Sequence, residues 1–599
     1  MPKTDSVAEL RALVSPSDPA AWIANLWVKY NNQRAPKIAE WSELQKYLFA
    51  TSTDTTSNKS LPWTHNTTTP KLTQIRDNLH SNYISSLFPN DKWLTWEAFS
   101  QKAAKKSVAE TLTFYMENKT REGGFRDVIS HLLYDYIDKG NCFAMPTFET
   151  RYKTTVTEKT VDFVGPKAVR IRPEDIVFNP TAAAFEDTFK IVRSMTTVGA
   201  LKKLAQTNPE DKLLSDYLVN RQKIFNSAVA TLQEDWSKAT SYAVDGFGSL
   251  QEYYLTDNVE LLEFFGDYHD AHSGELKTNR LITIADRCCV LRDVDIPTYG
   301  GTAAIRHAGW RFRPDNLWAM GPLDNLVGMQ YMIDHYINMV ANALDLKVMA
   351  PKKIVGDVES FVWAPNAEIH LDENGDVTEL AQQFGDVYAA LDFVERLENR
   401  MEMYAGAPRE AMGIRTPGEK TAFEVQALEN AAGRIFQEKI IQFEIFMEQV
   451  LNDMLEIAHR NMDFVDVVRV IDDDIGAKEF RNVTKEDITA DGILRPVGAR
   501  HFAQKAQELQ NLVGVFNSPL GQMIMPHTSA IGVSQFVGDL LDLRGYNIFK
   551  PNVAVAEQQE TQALANQASE DNIMKSQTSE EELMAQHMAQ QQAQPGAPK

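Results

Sequence analysis

RTPGEKTAFEVQALENAAGRIFQEKIIQFEIFMEQVLNDMLEIAHRN, residues 415–461, carries apolar residues at helical spacing from Val425 to Ile457. Roughly 44 residues of uninterrupted helix would extend about 65 Å at 1.5 Å per residue. A compact single domain of ordinary size does not need a rod of this length. We therefore expect this helix to span two layers of the molecule or to line an interface between subunits.

The start of this helix is a capping-box sequence formed by Thr416, Pro417, Gly418 and Glu419. Threonine is a good N-cap, proline suits the first helical position, and glutamate three residues after the cap returns a hydrogen bond. The surrounding GIRTPGEKT, 413–421, also approaches the phosphate-binding pattern G-x-x-x-x-G-K-[ST], but Glu419 precedes Lys420 and would place a carboxylate among phosphates. We interpret the segment as a loop and helix start, and the alternative is an NTP-driven DNA-processing enzyme that uses it.

Two further helices and a turn precede this loop. An apolar stripe from Leu323 to Val348 predicts a helix over 321–348 that opens at Gly321 and Pro322, with a weakly polar opposite face. A second stripe predicts a helix over 385–404. Between them, Asn374-Gly375 lies between two short alternating runs, which is typical of a two-residue β-hairpin.

The remaining sequence is of mixed type. Residues 1–140 have helical periodicity, interrupted at 51–70 by a polar loop without net charge that we expect to lie over a neighbouring element or to be mobile. Residues 141–310 combine β-branched runs with helical segments, and HSGE at 272–275 predicts a hairpin loop. The sequence therefore predicts an α+β fold that is predominantly helical.

Composition narrows the functional classes. A formal net charge of −22 opposes a protein that holds nucleic acid by broad phosphate neutralisation. The first 22 residues have no apolar core and the sequence has no run of 18 apolar residues, so we expect a protein made and used in a cytosol, or in something assembled there. Cys142, Cys288 and Cys289 are too few for a disulfide framework and are predicted to be buried, reduced thiols.

The candidate chemical sites are weak. His269 and His272 form a His-x-x-His pattern near Asp267 and Asp270, but the sequence places no further metal ligand beside them. The acidic run at 472–474 misses the spacing of a calcium loop. We predict no catalytic residue, no metal site and no cofactor.

Several segments resemble the portal, or head-to-tail connector, proteins of tailed bacteriophages, particularly the short-tailed podovirus type. The resemblance rests on RFRPDNLWAMGPLDNLVGMQYMIDHYINMVANALDLKV (311–348) and REAMGIRTPGEKTAFEVQALENAAGRIFQEKI (409–440). IRDNLHSNYISSLFPNDKWLTWE (75–97) and VRIRPEDIVFNP (169–180) support it. It covers most of the chain as an architecture, and it is motif-like over about 321–460.

The resemblance implies a portal-type fold whose subunits form a ring, usually of twelve, around a central channel. It implies the following parts along the chain: an N-terminal wing at 1–320, stem helices at 321–348 and 385–404, a clip with its hairpin at 349–384, a tunnel loop at 405–418, a long wing helix at 419–460, C-terminal wing and crown helices at 461–552, and a tail at 553–599 that is disordered or barrel-like.

The same resemblance implies a virion protein at one capsid vertex, assembled in the host cytoplasm. Double-stranded DNA would pass through the channel during packaging and ejection, and the implied partners are the terminase large subunit, a tail adaptor, and the major capsid and scaffolding proteins. In the tunnel loop, Arg409, Arg415 and Lys420 would either touch DNA phosphates or pair with Glu410, Glu419 or acids of a neighbouring subunit.

Overall fold

The computed structural model describes a little over half of the chain. The described residues are 19–49, 65, 67–88, 93–99, 106–154, 159–207, 211–228, 257–269, 274, 276–296, 304–348, 352–356, 375–379, 387–405, 422–462, 466–471, 478–483, 485 and 492–496. Of these residues, 54% are helical and 31% lie in strands, which confirms the predominantly helical α+β prediction. The chain divides into two compact units, and most of the described residues belong to the larger, 1–468 with 481–500.

The described helices follow the amphipathic segments of the sequence. They are α1 Pro19–Phe49, α2 Lys71–Leu87, α3 Lys106–Glu122, α4 Phe125–Asp138, α5 Val198–Thr207, α6 Lys212–Ala228, α7 Val327–Val348, α8 Val387–Tyr404 and α9 Ala422–Asn461. α9 confirms the predicted long helix, and its 40 residues correspond to about 60 Å.

The described strands are mostly antiparallel. They are β1 Leu94–Ala98, β2 Asn141–Thr154, β3 Lys159–Ile171, β4 Ile176–Phe178, β5 Lys190–Thr197, β6 Asn258–His269, β7 Leu276–Ala285, β8 Cys289–Asp295, β9 Arg306–Gly309, β10 Arg311–Arg313, β11 Asn316–Met320, β12 Lys352–Val355, β13 Asp376–Glu379, β14 Asp466–Ile471, β15 Lys478–Val483 and β16 Gly492–Pro496. β4 to β8 form a five-stranded sheet in sequential order, and β3-β2-β9 form a three-stranded sheet.

Interactions between distant parts of the chain close the larger unit. β1 pairs with β16, so that Leu94 lies opposite Pro496. The main apolar core combines α2, α4 and the second half of α9, where Phe443, Val450 and Met454 are buried. Arg306 of β9 donates two hydrogen bonds to the Asp453 carboxylate of α9, at 2.5 and 2.9 Å. A smaller core packs Ile23 and Trp27 of α1 against the five-stranded sheet.

The hairpin predicted at HSGE is confirmed, since β6 and β7 pair on either side of it and Gly274 has φ of 70°. LITIADRCCVL, 281–291, has the apolar composition of a single strand, but a turn within it separates β7 from β8. Asp286 and Arg287 have φ of 49° and 57° and turn the chain from β7 into β8. Side-chain pairing holds both residues in this left-handed region, which otherwise favours glycine: Asp286 bonds Tyr217 and Arg221, and Arg287 bonds Glu260.

The helix predicted to open at Gly321 begins later, at Val327, after a 3-10 turn over Asp324–Leu326. The Asp324 carboxylate accepts a hydrogen bond from the Gly321 N–H at 3.0 Å, and this bond favours a turn over a helix at this point. Gly321 also lies against Gly140, whose φ is 69°. The two glycines allow the start of β2 and the approach to α7 to meet backbone to backbone.

Gly140→Ala should lower the free energy of unfolding by about 2–5 kcal/mol. The alanine would have to keep the left-handed backbone of Gly140, and its Cβ would collide with the backbone of Met320 and Gly321. The matched control is Gly274→Ala, at φ of 70° with no atom of the described residues within 4 Å of the added Cβ, which should lose only about 1–2 kcal/mol. Urea denaturation followed by fluorescence measures both. Equal losses would show that the close backbone approach does not matter.

Candidate assembly site

Helix α7 presents three different faces along its length. At 100° per residue, Leu326, Ile333 and Val340 share one face, and all three are buried. A second face is polar and a third is apolar but exposed. The first face confirms the predicted apolar stripe except at its end, where Leu344 is 46% exposed because α7 extends past the core.

The polar face binds an extended segment of the same chain, residues 65 and 67–70, here called the strap. The residues of α7 that contact it, here called the ladder, are Gln330, Asp334, Asn338, Asn342 and Asp345. The N–H groups of His65, Thr67 and Thr69 donate to Asn342, Asn338 and Asp334 at 2.6, 2.7 and 2.8 Å. Asn338 Nδ2 also donates to the Thr67 carbonyl at 3.0 Å, so this amide pairs with the strap as a neighbouring strand would.

The two repeats match in length, which explains the regular ladder. Four helical residues advance about 6.0 Å, and two extended residues advance about 6.6 Å. Every second strap residue therefore meets every fourth helix residue. The described part of the 51–70 loop thus lies over a neighbouring element, as its composition predicts.

Ion pairs tie both ends of this region to other helices. Lys71 at the start of α2 contacts Glu402 of α8 at 2.6 Å, and both side chains are buried. Lys37 of α1 contacts Asp324, in the turn before α7, at 3.0 Å. With the ladder, these pairs fix α7 and α8 against α1 and α2 at several separate points.

Asp334 is the most perturbed acid of the ladder. It is 2% exposed, and burial raises the pKa of its carboxyl to about 6 although bonds from Thr69 and Gln330 favour the ionised form. Its Oδ2 atom has no hydrogen-bond partner among the described residues. The neighbouring Tyr47 of α1 has a raised pKa, for which burial is the main cause and the Asp334 charge a lesser one.

Asp334→Asn should stabilise the protein at pH 7.5 and have little effect at pH 4. The pKa of Asp334 in the folded protein, about 6, lies above the ordinary value of 3.8. The folded protein therefore has its full stability below about pH 4, where Asp334 is neutral, and loses part of it as the pH rises through 6 and the buried carboxyl ionises. With rising pH, the free energy of unfolding of Asp334→Asn should come to exceed that of the unaltered protein by at most about 3 kcal/mol. Thermal unfolding at several pH values measures it, and a difference that stays constant between pH 4 and pH 7.5 would contradict this explanation.

The third face of α7 and part of α8 expose large apolar side chains. These side chains, here called the exposed apolar face, are Met332 and Met339 on the third face of α7, Tyr331 on the polar side of α7, and Phe393, Met403 and Tyr404 on α8, which are 39, 52, 53, 39, 67 and 64% exposed. The rings of Tyr336 and Phe393 meet edge to face at 5.4 Å and connect the two helices. Leu391, predicted on the buried stripe of α8, is 44% exposed. Such a concentration of exposed apolar side chains is typical of a surface that another protein covers.

Most of the predicted site residues lie outside the described part of the chain. These are Asn374, Arg409, Arg415, Thr416, Pro417, Gly418, Glu419 and Lys420. Gly375 is described and directly precedes β13, whose described partner is β12, with Val355 opposite Asp376. Sequence reasoning did not predict this pairing, and the Asn374-Gly375 hairpin remains a prediction.

Of the candidate metal ligands, Asp267 and His269 lie in the described part of the chain. The Asp267 carboxylate accepts a hydrogen bond from the Asn279 N–H at 2.8 Å, while Asp270, His272 and 472–474 are outside the described residues. The described residues contain no group of three or more His, Cys, Asp or Glu that could hold a metal ion. Cys142 is buried as predicted, but Cys288 and Cys289 are only half-buried, because the β7–β8 turn brings them to the edge of the sheet.

Sequence reasoning missed the ladder, although the signal is visible afterwards. Amide and carboxylate side chains at a spacing of four on one helix face can satisfy the backbone hydrogen bonds of a Thr-rich loop without net charge.

None of the helices in the described ranges is long and apolar enough to cross a membrane. No protein-family model matches the sequence, and a search of the curated proteins finds no significant match.

Proposed function

We propose that this chain is a portal protein of a tailed bacteriophage, which assembles into a ring around a channel for double-stranded DNA. The observation that carries the proposal is the exposed apolar face, on a helix pair that ion pairs and the ladder otherwise hold firmly. In a ring, this face on one copy would pack against a different surface of the next copy. Because the last copy meets the first when the ring closes, every such face would be buried.

The shape of the larger unit fits the same proposal. The α7–α8 pair would be the stem, and α9, about 60 Å long and anchored by Asp453, would connect the stem to the wing. β12 and β13 would belong to the clip, to which we assign the terminase large subunit and the tail adaptor. The wing would meet the major capsid and scaffolding proteins.

The negative net charge of the chain suits a channel through which DNA slides better than a site that binds DNA tightly. With a net charge of −22 per copy, the channel wall would repel DNA and let it slide. Arg409, Arg415 and Lys420 would supply the local, sequence-independent contacts that phosphates accept.

Electron microscopy of the purified full-length chain in negative stain tests the proposal. We expect rings with a central hole, and native mass spectrometry should give one dominant number of subunits, twelve or close to it. Compact monomers that hydrolyse ATP would contradict the proposal and favour the NTP-driven enzyme instead.

Lys420→Ala separates the two functions at a single residue. We expect rings to form as before, because a tunnel-loop lysine is not needed for assembly. Thr416→Ala, three residues before Glu419, should instead remove the helix cap and lower stability by about 1 kcal/mol. Loss of a nucleotide-dependent activity in Lys420→Ala alone would overturn the interpretation of 413–421 as a loop and helix start.

A further inference from the structure

The two adjacent cysteines at the start of β8 hold their sulfur atoms unusually close. Cys288 Sγ and Cys289 Sγ are 3.5 Å apart, and both residues are half-buried. In an extended strand, consecutive side chains point to opposite faces, so two neighbouring sulfurs would lie far apart. Here Cys288 belongs to the turn and Cys289 begins the strand opposite Ala285, so the change of backbone direction brings the thiols together.

The turn that sets this geometry is held from both sides. Asp286 accepts a hydrogen bond from Tyr217 at 2.7 Å and pairs with Arg221 of α6. Arg287 donates to both carboxylate oxygens of Glu260 on β6, at 2.7 and 2.9 Å, and Glu260 is fully buried. Both residues preceding the cysteines are therefore fixed by the sheet and α6, and the two thiols are presented together without a large loss of chain entropy.

We propose that Cys288 and Cys289 form a redox-responsive dithiol that closes into a disulfide between neighbouring residues when it meets a peroxide. One thiolate attacks a peroxide oxygen, so that an S–O bond forms as the O–O bond breaks; the hydroxide that leaves takes up the proton that the thiol had lost, which gives a sulfenic acid and water. The second thiol then attacks that sulfur, and a second water leaves as the S–S bond forms. The two sulfurs together lose two electrons, and hydrogen peroxide takes them up.

The structure makes the reaction selective among the three cysteines. Cys142 is fully buried, its pKa is raised well above the ordinary value by burial, and its thiol donates to the Ala308 carbonyl. It should stay reduced, since thiolate character and access govern oxidation. If the chain is a virion protein, as proposed above, the pair would be reduced during cytosolic assembly and would oxidise after release. The chemistry itself does not depend on that function.

Peptide mass spectrometry of the intact, folded full-length chain tests the proposal. The reduced, folded protein is treated with hydrogen peroxide, then denatured in urea, alkylated so that every remaining thiol reacts, and cleaved after arginine, which places both thiols in the single peptide Cys288–Arg292. We expect this peptide to lose two hydrogens and to escape alkylation, while the Cys142 peptide is fully alkylated. Addition of oxygen atoms, disulfides between chains, or unchanged alkylation of Cys288–Arg292 would each overturn the proposal.

Two controls test the role of the fold. Cys288→Ser and Cys289→Ser should each stop at a sulfenic acid, with no loss of two hydrogens. The same chain in concentrated urea should close at least about tenfold more slowly, because the turn no longer holds the thiols together. Equal rates in folded and unfolded protein would show that the structure contributes nothing. The assay reads the peptide alone, so its failure is distinguishable from a failure to form rings.

Discussion

Met339→Glu should leave the chain folded but monomeric at concentrations where, under the proposed function, the unaltered protein forms rings. Met339 is a half-exposed residue of the exposed apolar face, at 52%, so a glutamate there reaches solvent in the monomer. Covering it with the next copy would bury a carboxylate without a partner, at a cost of several kcal/mol for each interface. A closed ring repeats that cost at every contact, so the loss of assembly should be nearly complete. Native mass spectrometry and circular dichroism measure assembly and folding separately.

Val219→Glu is the matched control for this prediction. Val219 is 55% exposed on α6, away from α7 and α8, and the substitution adds the same charge to a similarly exposed apolar position. Its rings should form normally. Rings from Met339→Glu, or monomers from both variants, would show that the exposed apolar face is not the surface between copies.

Arg287→Met should lower the free energy of unfolding by about 3–5 kcal/mol. Glu260 is fully buried and receives two hydrogen bonds from the guanidinium of Arg287. Methionine keeps much of the side-chain volume, so the variant mainly removes the charge that faces the buried carboxylate. Urea denaturation followed by tryptophan fluorescence measures the loss.

Two comparisons isolate the cause of that loss. Arg280→Met removes a guanidinium that contacts Asp293 and Asp295 near the surface, and this should cost no more than about 1 kcal/mol. The double variant Arg287→Met with Glu260→Leu removes both charges and should regain much of the stability. If the double variant were as unstable as Arg287→Met, the buried charge would not explain the loss.

The sequence predicted best where one local rule acts alone. α2 was predicted because Leu72, Ile75, Leu79 and Tyr83 repeat at helical spacing, and all four are buried. The length of α9 followed from the same periodicity over 40 residues. Such patterns report on which face is buried, and they need no knowledge of the neighbouring element.

The predictions failed where distant side chains decide the local backbone. Asp286 is a residue type that turns favour and Arg287 is not, and both adopt a left-handed backbone where Tyr217, Arg221 and Glu260 bind their side chains. Similarly, the half-buried state of Cys288 and Cys289 follows from that turn and not from their apolar surroundings. The ladder was missed for the same reason, since its partner lies more than 250 residues earlier in the chain.

The pairing of β1 with β16 sets a time at which the larger unit can be completed. Trp96 lies opposite Leu494, so a two-stranded sheet joins segments about 400 residues apart. At 5–20 residues per second, a ribosome needs about 20–80 s to cover that distance. During this interval β1 has no partner from β16. A nascent chain therefore cannot complete this unit until nearly all of its length has emerged, which delays the finished subunit until after the α7–α8 pair has been synthesised.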